Sequence, residues 1–68
     1  MHVMKIRKLI KLIESDGWRL HRQSGDHRQF KHPVKTGLVT ISGHPDDEVR
    51  PGTLNSVLKQ AQIEKEDP

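Results

Sequence analysis

Hydrophobic residues near the start of the chain recur at the spacing of an amphipathic helix. Lysines fall mostly on the opposite side of this segment from its apolar residues. The apolar residues that share one helical face are Ile6, Leu9, Ile10 and Ile13. Gly17 follows where a helix C-terminus needs a residue that tolerates positive φ. The pattern therefore predicts a first helix over about residues 4–16.

The apolar spacing then changes to the alternation that is typical of half-buried strands. Trp18 and Leu20 alternate with polar residues. In the segment that follows the next turn, Phe30 is the apolar residue among polar ones. Pro33 ends that run, because proline cannot donate a hydrogen bond to a sheet. Short turns separate the runs, so the pattern predicts an antiparallel meander. Its three strands are predicted over about residues 18–23, 27–32 and 38–42.

Helical spacing returns near the end of the chain. Pro51 suits the first turn of a helix, which we predict over about residues 51–62, followed by a frayed polar tail over 63–68. The acidic run 46–48 lies just upstream of this second helix, where negative charge is favourable. The order α-β-β-β-α predicts one α+β domain over residues 1–68, with a three-stranded antiparallel sheet, both helices on one face and the other face open to solvent. The predicted core comprises Trp18, Leu20, Phe30, Val39, Ile41, Leu54, Val57 and Leu58.

Composition narrows the class of protein. The chain has no cysteine, so it has neither a disulfide nor a thiolate metal site. No apolar run approaches the roughly 20 residues of a membrane span, and we expect a cytoplasmic protein that binds no membrane and no small-molecule cofactor. Residues 1–35 carry nine Lys/Arg against three Asp/Glu, whereas residues 36–68 carry three against six. This lopsided charge suggests nucleic acid as a partner, although solvated basic side chains give the same pattern.

Histidine 27 has the most informative position among the candidate chemical groups. His27 directly follows the predicted Gly25-Asp26 turn, which puts an imidazole at the start of a strand, beside a glycine that permits close approach of a substrate. Histidine titrates near neutral pH and can therefore give or take a proton there. The nearby cations that are candidates to hold phosphate oxygens are Arg22, Arg28 and Lys31.

The other histidines are better explained by packing. We expect His21 and His32 to be sheet-surface or packing residues, and His44 to pack against the second helix rather than approach the site. Three or four converging ligands would be needed for zinc, and no such set is evident. Hence no metal is expected.

An ordered series of short motifs resembles the HicA (YcfA-like) toxin family over roughly residues 5–63. Each motif alone is weak, but the set in this order and spacing is specific. The motifs are Gly17-Trp18, Arg22, Gly25-Asp26-His27, Phe30-Lys31, His32-Pro33, Thr40-Ile41, His44, Pro51-Gly52-Thr53-Leu54 and Val57-Leu58-Lys59-Gln60-Ala61.

The resemblance implies a function as well as a fold similar to a double-stranded-RNA-binding domain. Members of the family are toxins of type II toxin–antitoxin systems, mRNA interferases that cleave RNA with one histidine, and a HicB antitoxin neutralises them. That histidine matches His27, and the glycine before it matches Gly25. The resemblance thus implies an endoribonuclease whose substrate is mRNA or other single-stranded RNA. Asp26 departs from the family, where serine is more usual. An acid there can orient the ring of His27 or raise its pKa, but it also repels phosphate.

Two alternatives remain open from the residues alone. The α-β-β-β-α order also suits a non-catalytic module that binds double-stranded RNA, although the second helix then lacks the expected cations. The other alternative is a domain that only docks a protein partner, through the open face of its sheet or through an exposed strand edge.

Overall fold

The computed structural model describes residues 4–63, and the element order α-β-β-β-α is confirmed. The elements are α1 (Ile6–Ser15), β1 (Arg19–Ser24), β2 (His27–Lys31), β3 (Val39–Ser42) and α2 (Pro51–Gln60). Each predicted helix is a few residues too long, since α1 begins at Ile6 and α2 ends at Gln60. Residues 64–68 of the predicted tail lie outside the described residues.

The first helix forms because its apolar stripe is buried and its free N–H groups find acceptors. Ile6, Leu9 and Ile13 are buried in the core. No side chain caps the N-terminus of α1. Instead, the backbone N–H of Ile6 donates to the carbonyl of Asp47 at 2.9 Å, and that of Arg7 donates to the carbonyl of Pro45 at 3.0 Å.

The loop that contains the acidic run 46–48 precedes α2 in sequence, and its carbonyls accept the first N–H groups of α1. We call residues 43–50 the acidic loop. Asp46 forms an exposed ion pair with Arg7 of α1. The first turn of α2 holds no acidic residue. The same loop also pairs with the residue before α1, because Glu48 and Lys5 form an isolated antiparallel β-bridge.

The sheet is an antiparallel meander with strand order β1-β2-β3. Burial alternates along β3, with Val39 and Ile41 buried and the residues after each exposed. The buried side chains of both helices join one core cluster with those of β2 and β3, so both helices pack on the same face. Trp18 lies fully buried before β1, and its indole N–H donates to the carbonyl of Ala61 at 3.3 Å.

The predicted core is confirmed except at Leu20. Leu54 is partly buried against the core, and the other predicted members are buried, but Leu20 is 50% exposed. Two features explain this difference. β1 is an edge strand whose residues are all exposed, and its register with β2 shifts between Leu20 and Arg22. Such a bulge breaks the alternation on which the sequence prediction relied.

His32 is a structural residue, as the sequence suggested. Its ring meets the Trp18 ring edge-on, with centroids 5.2 Å apart. Its Nδ1 accepts the backbone N–H groups of Val34 and Lys35, both at 3.0 Å. Nδ1 therefore carries no proton, and Nε2 donates to the carbonyl of Asp16 at 2.7 Å. The ring joins the end of α1 to the segment that follows β2.

Lys35 extends this connection to the end of α2. Its ammonium group donates to the Asp16 carboxylate at 2.6 Å and to the carbonyls of Ala61 and Gln62 at 3.2 and 3.0 Å. Lys35 thus satisfies carbonyls at the C-terminus of α2, where a cation is also favoured by the helix dipole. The hydrogen bond from Lys35 lowers the pKa of the Asp16 carboxyl below its ordinary value of 3.8.

We expect Gly17→Ala to destabilise the protein more than Gly37→Ala does. Both glycines have positive φ, +111° and +86°, so both substitutions strain the backbone. Only at Gly17 would the added Cβ lie 2.6 Å from Nε2 of His32. We expect a loss of about 1 kcal/mol for Gly37→Ala and about 2–3 kcal/mol for Gly17→Ala in urea unfolding. Equal losses would show that the contact with His32 contributes nothing.

The Asp16–Lys35 pair predicts a stability change in acid. Because the folded pKa of Asp16 is depressed, the pair's contribution is fully present above the ordinary carboxyl pKa of 3.8 and is lost as pH falls through the lower folded value. Thermal unfolding between pH 6 and 2 should therefore show a smaller acid loss in Asp16→Asn than in the wild type. Lys35→Met should produce the same flattening, and the double variant should add little further. Additive effects of the two substitutions would contradict the pairing.

Candidate active site

The sheet has one face that carries no buried side chain, and His27 lies on it. Directly paired residues of neighbouring strands share a face. His27 pairs with Ser24 on one side and Ser42 on the other, while Gln29 pairs with Arg22 and Thr40. We call this surface the open face. By this pairing its members are Arg19, Arg22, Ser24, His27, Gln29, Lys31, Thr40 and Ser42. The guanidinium of Arg19 donates to the carbonyls of Glu14 and Trp18.

The imidazole of His27 is exposed, and within the described part of the chain its one side-chain partner is Ser42. Nδ1 of His27 lies 2.9 Å from Oγ of Ser42. With Nδ1–H donating to Oγ, Nε2 of a neutral ring is free to accept a proton from solvent or substrate. Nδ1–H can keep the same hydrogen bond after Nε2 is protonated. The contact therefore holds one ring position for both the basic and the acidic form.

The hairpin turn fixes where His27 begins its strand. Ser24 and His27 pair directly, so the turn consists of only Gly25 and Asp26. Gly25 has a φ of +57°, which a two-residue hairpin turn requires and which glycine adopts without strain. A Cβ at Gly25 would meet no atom within 4 Å, so the surface beside His27 is open.

Asp26 does not orient His27, contrary to the expectation from its place in the sequence. Among residues 4–63, no hydrogen bond or ion pair joins its carboxylate to the imidazole. Its backbone carbonyl instead accepts the N–H of Gly43 at 3.1 Å. The hydroxyl of Ser42 takes the orienting position that we had assigned to the carboxylate.

Arg28 lies on the opposite face from His27, because neighbouring residues of a strand point in opposite directions. It is only 7% exposed. Its Nη1 donates to the carbonyls of Asp26 and Gly43, at 3.3 and 2.9 Å. The structure therefore does not bring Arg28 to the open face, and its guanidinium instead ties the hairpin turn to the end of β3.

Arg22 and Lys31 do reach the open face. Both are exposed, and neither has a hydrogen-bond or ion-pair partner within the described part of the chain. Arg22 pairs with Gln29 and is therefore a diagonal neighbour of His27, roughly 7–8 Å away. Lys31 lies farther along the same strand as His27. The three strands contain no acidic residue, so no carboxylate of the sheet offsets these cations.

Among residues 4–63, no other histidine forms a hydrogen bond with His27. His21 is exposed where the β1–β2 register shifts. His44 is exposed, which corrects our expectation that it packs against the second helix. Its Nδ1 accepts the N–H of Asp46 at 3.4 Å, and its own N–H donates to the Asp47 carboxylate at 3.1 Å. These hydrogen bonds of His44 stabilise the loop whose carbonyls accept the first N–H groups of α1.

Ser42 is the residue that sequence reasoning missed. The alternation in Val39–Ser42 places Ser42 on the solvent side of its strand, and this much was readable. Its position opposite His27 depends on the register of β2 against β3, which no short-range pattern specifies.

Within residues 4–63, no group of three or more His, Asp or Glu side chains is placed to hold a metal ion. No helix in this part of the chain is long and apolar enough to span a bilayer.

Comparison with known proteins agrees with this architecture. A family model described as the HicA toxin of bacterial toxin–antitoxin systems matches residues 6–63 of the 68-residue chain. That range begins at the first residue of α1 and includes every strand and both helices. A search of curated protein sequences gives no significant match. The family match covers far more than half of the chain, and the protein therefore belongs to the HicA toxin family.

Proposed function

We propose that this toxin is an mRNA interferase, a cytoplasmic endoribonuclease that cleaves single-stranded RNA with His27 as its catalytic residue. Membership of a toxin family supports a toxic activity and implies an antitoxin partner. The observation that carries the proposal is the exposed His27 imidazole, held at Nδ1 by Ser42 and open at Nε2.

The chemistry that suits such a group is cleavage by the RNA's own 2′-hydroxyl. This hydroxyl attacks the adjacent phosphorus, a new P–O2′ bond forms, and the P–O5′ bond breaks. The products are a 2′,3′-cyclic phosphate and a free 5′-hydroxyl. Nε2 of His27 either removes the proton from the 2′-hydroxyl or donates one to the leaving 5′-oxygen, and water serves the other step. Such a group contributes roughly 10²- to 10⁴-fold to the rate.

The cations of the open face complement this role. Arg22 is close enough to His27 to hold oxygens of the reacting phosphate, and its planar guanidinium matches two of them. Lys31 is placed to contact a neighbouring phosphate as a point charge. Gly25 leaves room for the RNA backbone beside the histidine. We leave Arg28 out of this set, since its guanidinium is buried and bound to carbonyls.

We further propose that a HicB-type antitoxin neutralises the toxin by covering the open face. Unpaired arginine and lysine side chains there favour a partner with acidic groups at the contact. No metal or organic cofactor is needed for the proposed reaction, because the nucleophile belongs to the substrate.

Substitution of His27 tests the catalytic assignment. We expect His27→Ala to reduce RNA cleavage by the purified protein about 10²- to 10⁴-fold and to abolish growth arrest and mRNA decay on induced expression. His21→Ala is the matched control, since His21 is also an exposed strand histidine, and it should retain activity. Circular dichroism checks that both variants fold. Equal activity of the two variants would remove His27 from the mechanism, and tight binding of duplex RNA without scission would favour a non-catalytic binding module.

The nature of the nucleophile predicts discrimination between RNA and DNA. A single-stranded RNA oligonucleotide should be cleaved to products that end in a 2′,3′-cyclic phosphate, identified by mass spectrometry. The same sequence as DNA should bind through its phosphates but resist cleavage, because it lacks the 2′-hydroxyl. An RNA with one 2′-deoxy nucleotide at the cleavage position should be protected at that position only. Scission of the DNA would contradict the mechanism.

A further inference from the structure

A polar groove opens directly beside His27, between the free edge of β3 and helix α2. Its volume is about 330 Å³, at the lower end of the roughly 300–1,000 Å³ usual for small-molecule pockets. Val57 contributes an apolar patch, and the other lining groups are neutral and mostly polar. They come from Thr40 and Ser42 of β3 and from Gly52, Thr53, Ser56 and Gln60 of α2.

Ser42 joins this groove to the proposed catalytic group. The residue lines the groove, and its Oγ is also the hydrogen-bond partner of His27 Nδ1 at 2.9 Å. A molecule in the groove therefore lies one side chain away from the imidazole. The open face and this groove are two surfaces on which a substrate that reacts at His27 can place its adjoining parts.

The free backbone of β3 gives the groove a hydrogen-bond donor. The N–H of Thr40 points away from β2, since it donates to Oε1 of Gln60 at 2.9 Å. Ser42 is two residues farther along the strand, so its N–H points in the same direction and opens into the groove. The Ser42 N–H and the hydroxyl of Thr53 offer donors and an acceptor without a charge. The Ser56 hydroxyl accepts the side-chain amide of Gln60 at 3.1 Å and keeps its O–H to donate.

The distribution of charge decides which part of a substrate suits each surface. Arg22 and Lys31 lie on the open face, whereas no charged side chain of the described residues lines the groove. Phosphates are therefore favoured on the open face and a neutral group in the groove. In RNA that neutral group is the base with its ribose, whose edges carry the donors and acceptors that hydroxyls and amides recognise.

We propose that this groove binds the unpaired ribonucleoside next to the scissile phosphate and sets the base preference of cleavage. The proposal rests on the proposed function, because it places that nucleoside relative to His27. It requires single-stranded RNA, since a base held in the groove cannot remain paired in a duplex.

An added strand from a protein partner fits the groove less well. Strand addition needs the free N–H and C=O groups of an edge. At β3 the Thr40 N–H is already bound by Gln60, and α2 lies alongside the strand. At least one backbone N–H of the β3 edge is therefore already hydrogen-bonded within the protein and cannot pair with a partner strand.

Blocking the groove tests the proposal. Ser56→Leu fills it from α2, and the matched control is Ser15→Leu, at an exposed serine of α1 outside the groove. The substrate is a pool of single-stranded RNA oligonucleotides with randomised sequence, and the cut sites are sequenced. We expect Ser56→Leu to lower kcat/KM at least about tenfold and to flatten the base preference beside the cut, while Ser15→Leu keeps both.

A second variant and a binding measurement keep the test decisive if Ser56→Leu does not fold. Thr53→Val removes one groove hydroxyl with little change in volume and should alter the base preference. Titration of the four nucleoside 3′-monophosphates into the wild type and into His27→Ala, followed by amide NMR, should shift the signals of Ser42 and Ser56. This titration tests the groove even if the chain cleaves no RNA.

The outcomes separate this proposal from the proposed function. If the wild type cleaves no RNA but the nucleotides shift the groove signals, the nuclease assignment fails, nucleoside binding by the groove stands, and its role in base preference falls with the nuclease. If the wild type cleaves RNA and both groove variants keep its rate and base preference, the groove proposal is overturned. It is also overturned if Ser56→Leu cleaves normally but no longer binds the antitoxin, which would assign the groove to the protein partner.

Discussion

The register of β2 against β3 is the constraint on which the rest of the structure depends. It pairs His27 with Ser42 and Phe30 with Val39, so one set of side chains faces solvent and the other enters the core. A shift by one residue would exchange the two faces and bury the imidazole. Arg28 reinforces this register. Its buried guanidinium donates to the carbonyl of Asp26, just before β2, and to the carbonyl of Gly43, just after β3.

Polar connections support the margins of the small core, and two of them lie within residues 4–63. At one end the loop after β3 supplies carbonyls to the first turn of α1. At the other, His32 and Lys35 connect the end of α1 to the end of α2 through Asp16. The motif residues Gly17 and His32 belong to this second connection, where the missing Cβ of the glycine makes room for the ring. Their role is structural, and they leave His27 as the one motif histidine on the open face.

In the proposed site, different surfaces bind different parts of the substrate. Cations on the open face suit phosphates, the neutral groove beside α2 suits a nucleoside, and His27 stands between them with Ser42 as its support. The arrangement needs few residues, because the attacking group belongs to RNA itself. A domain with so limited a core can therefore carry such a site without burying a network of catalytic side chains.

Local patterns in the sequence determined the order of the elements, the apolar stripe of α1, the tight turn at Gly25 and the placement of His27 at the start of a strand. These features depend on residues that are close in sequence, so their spacing and φ preferences can be read directly from it. The motif series also predicted the family, which the comparison confirmed. Tertiary structure alone decided the exposure of Leu20, the burial of Arg28, the pairing of Ser42 with His27 and the use of the acidic loop by α1. Each of these depends on a bulge, a strand register or a loop path, which join residues distant in sequence and leave no periodic signal.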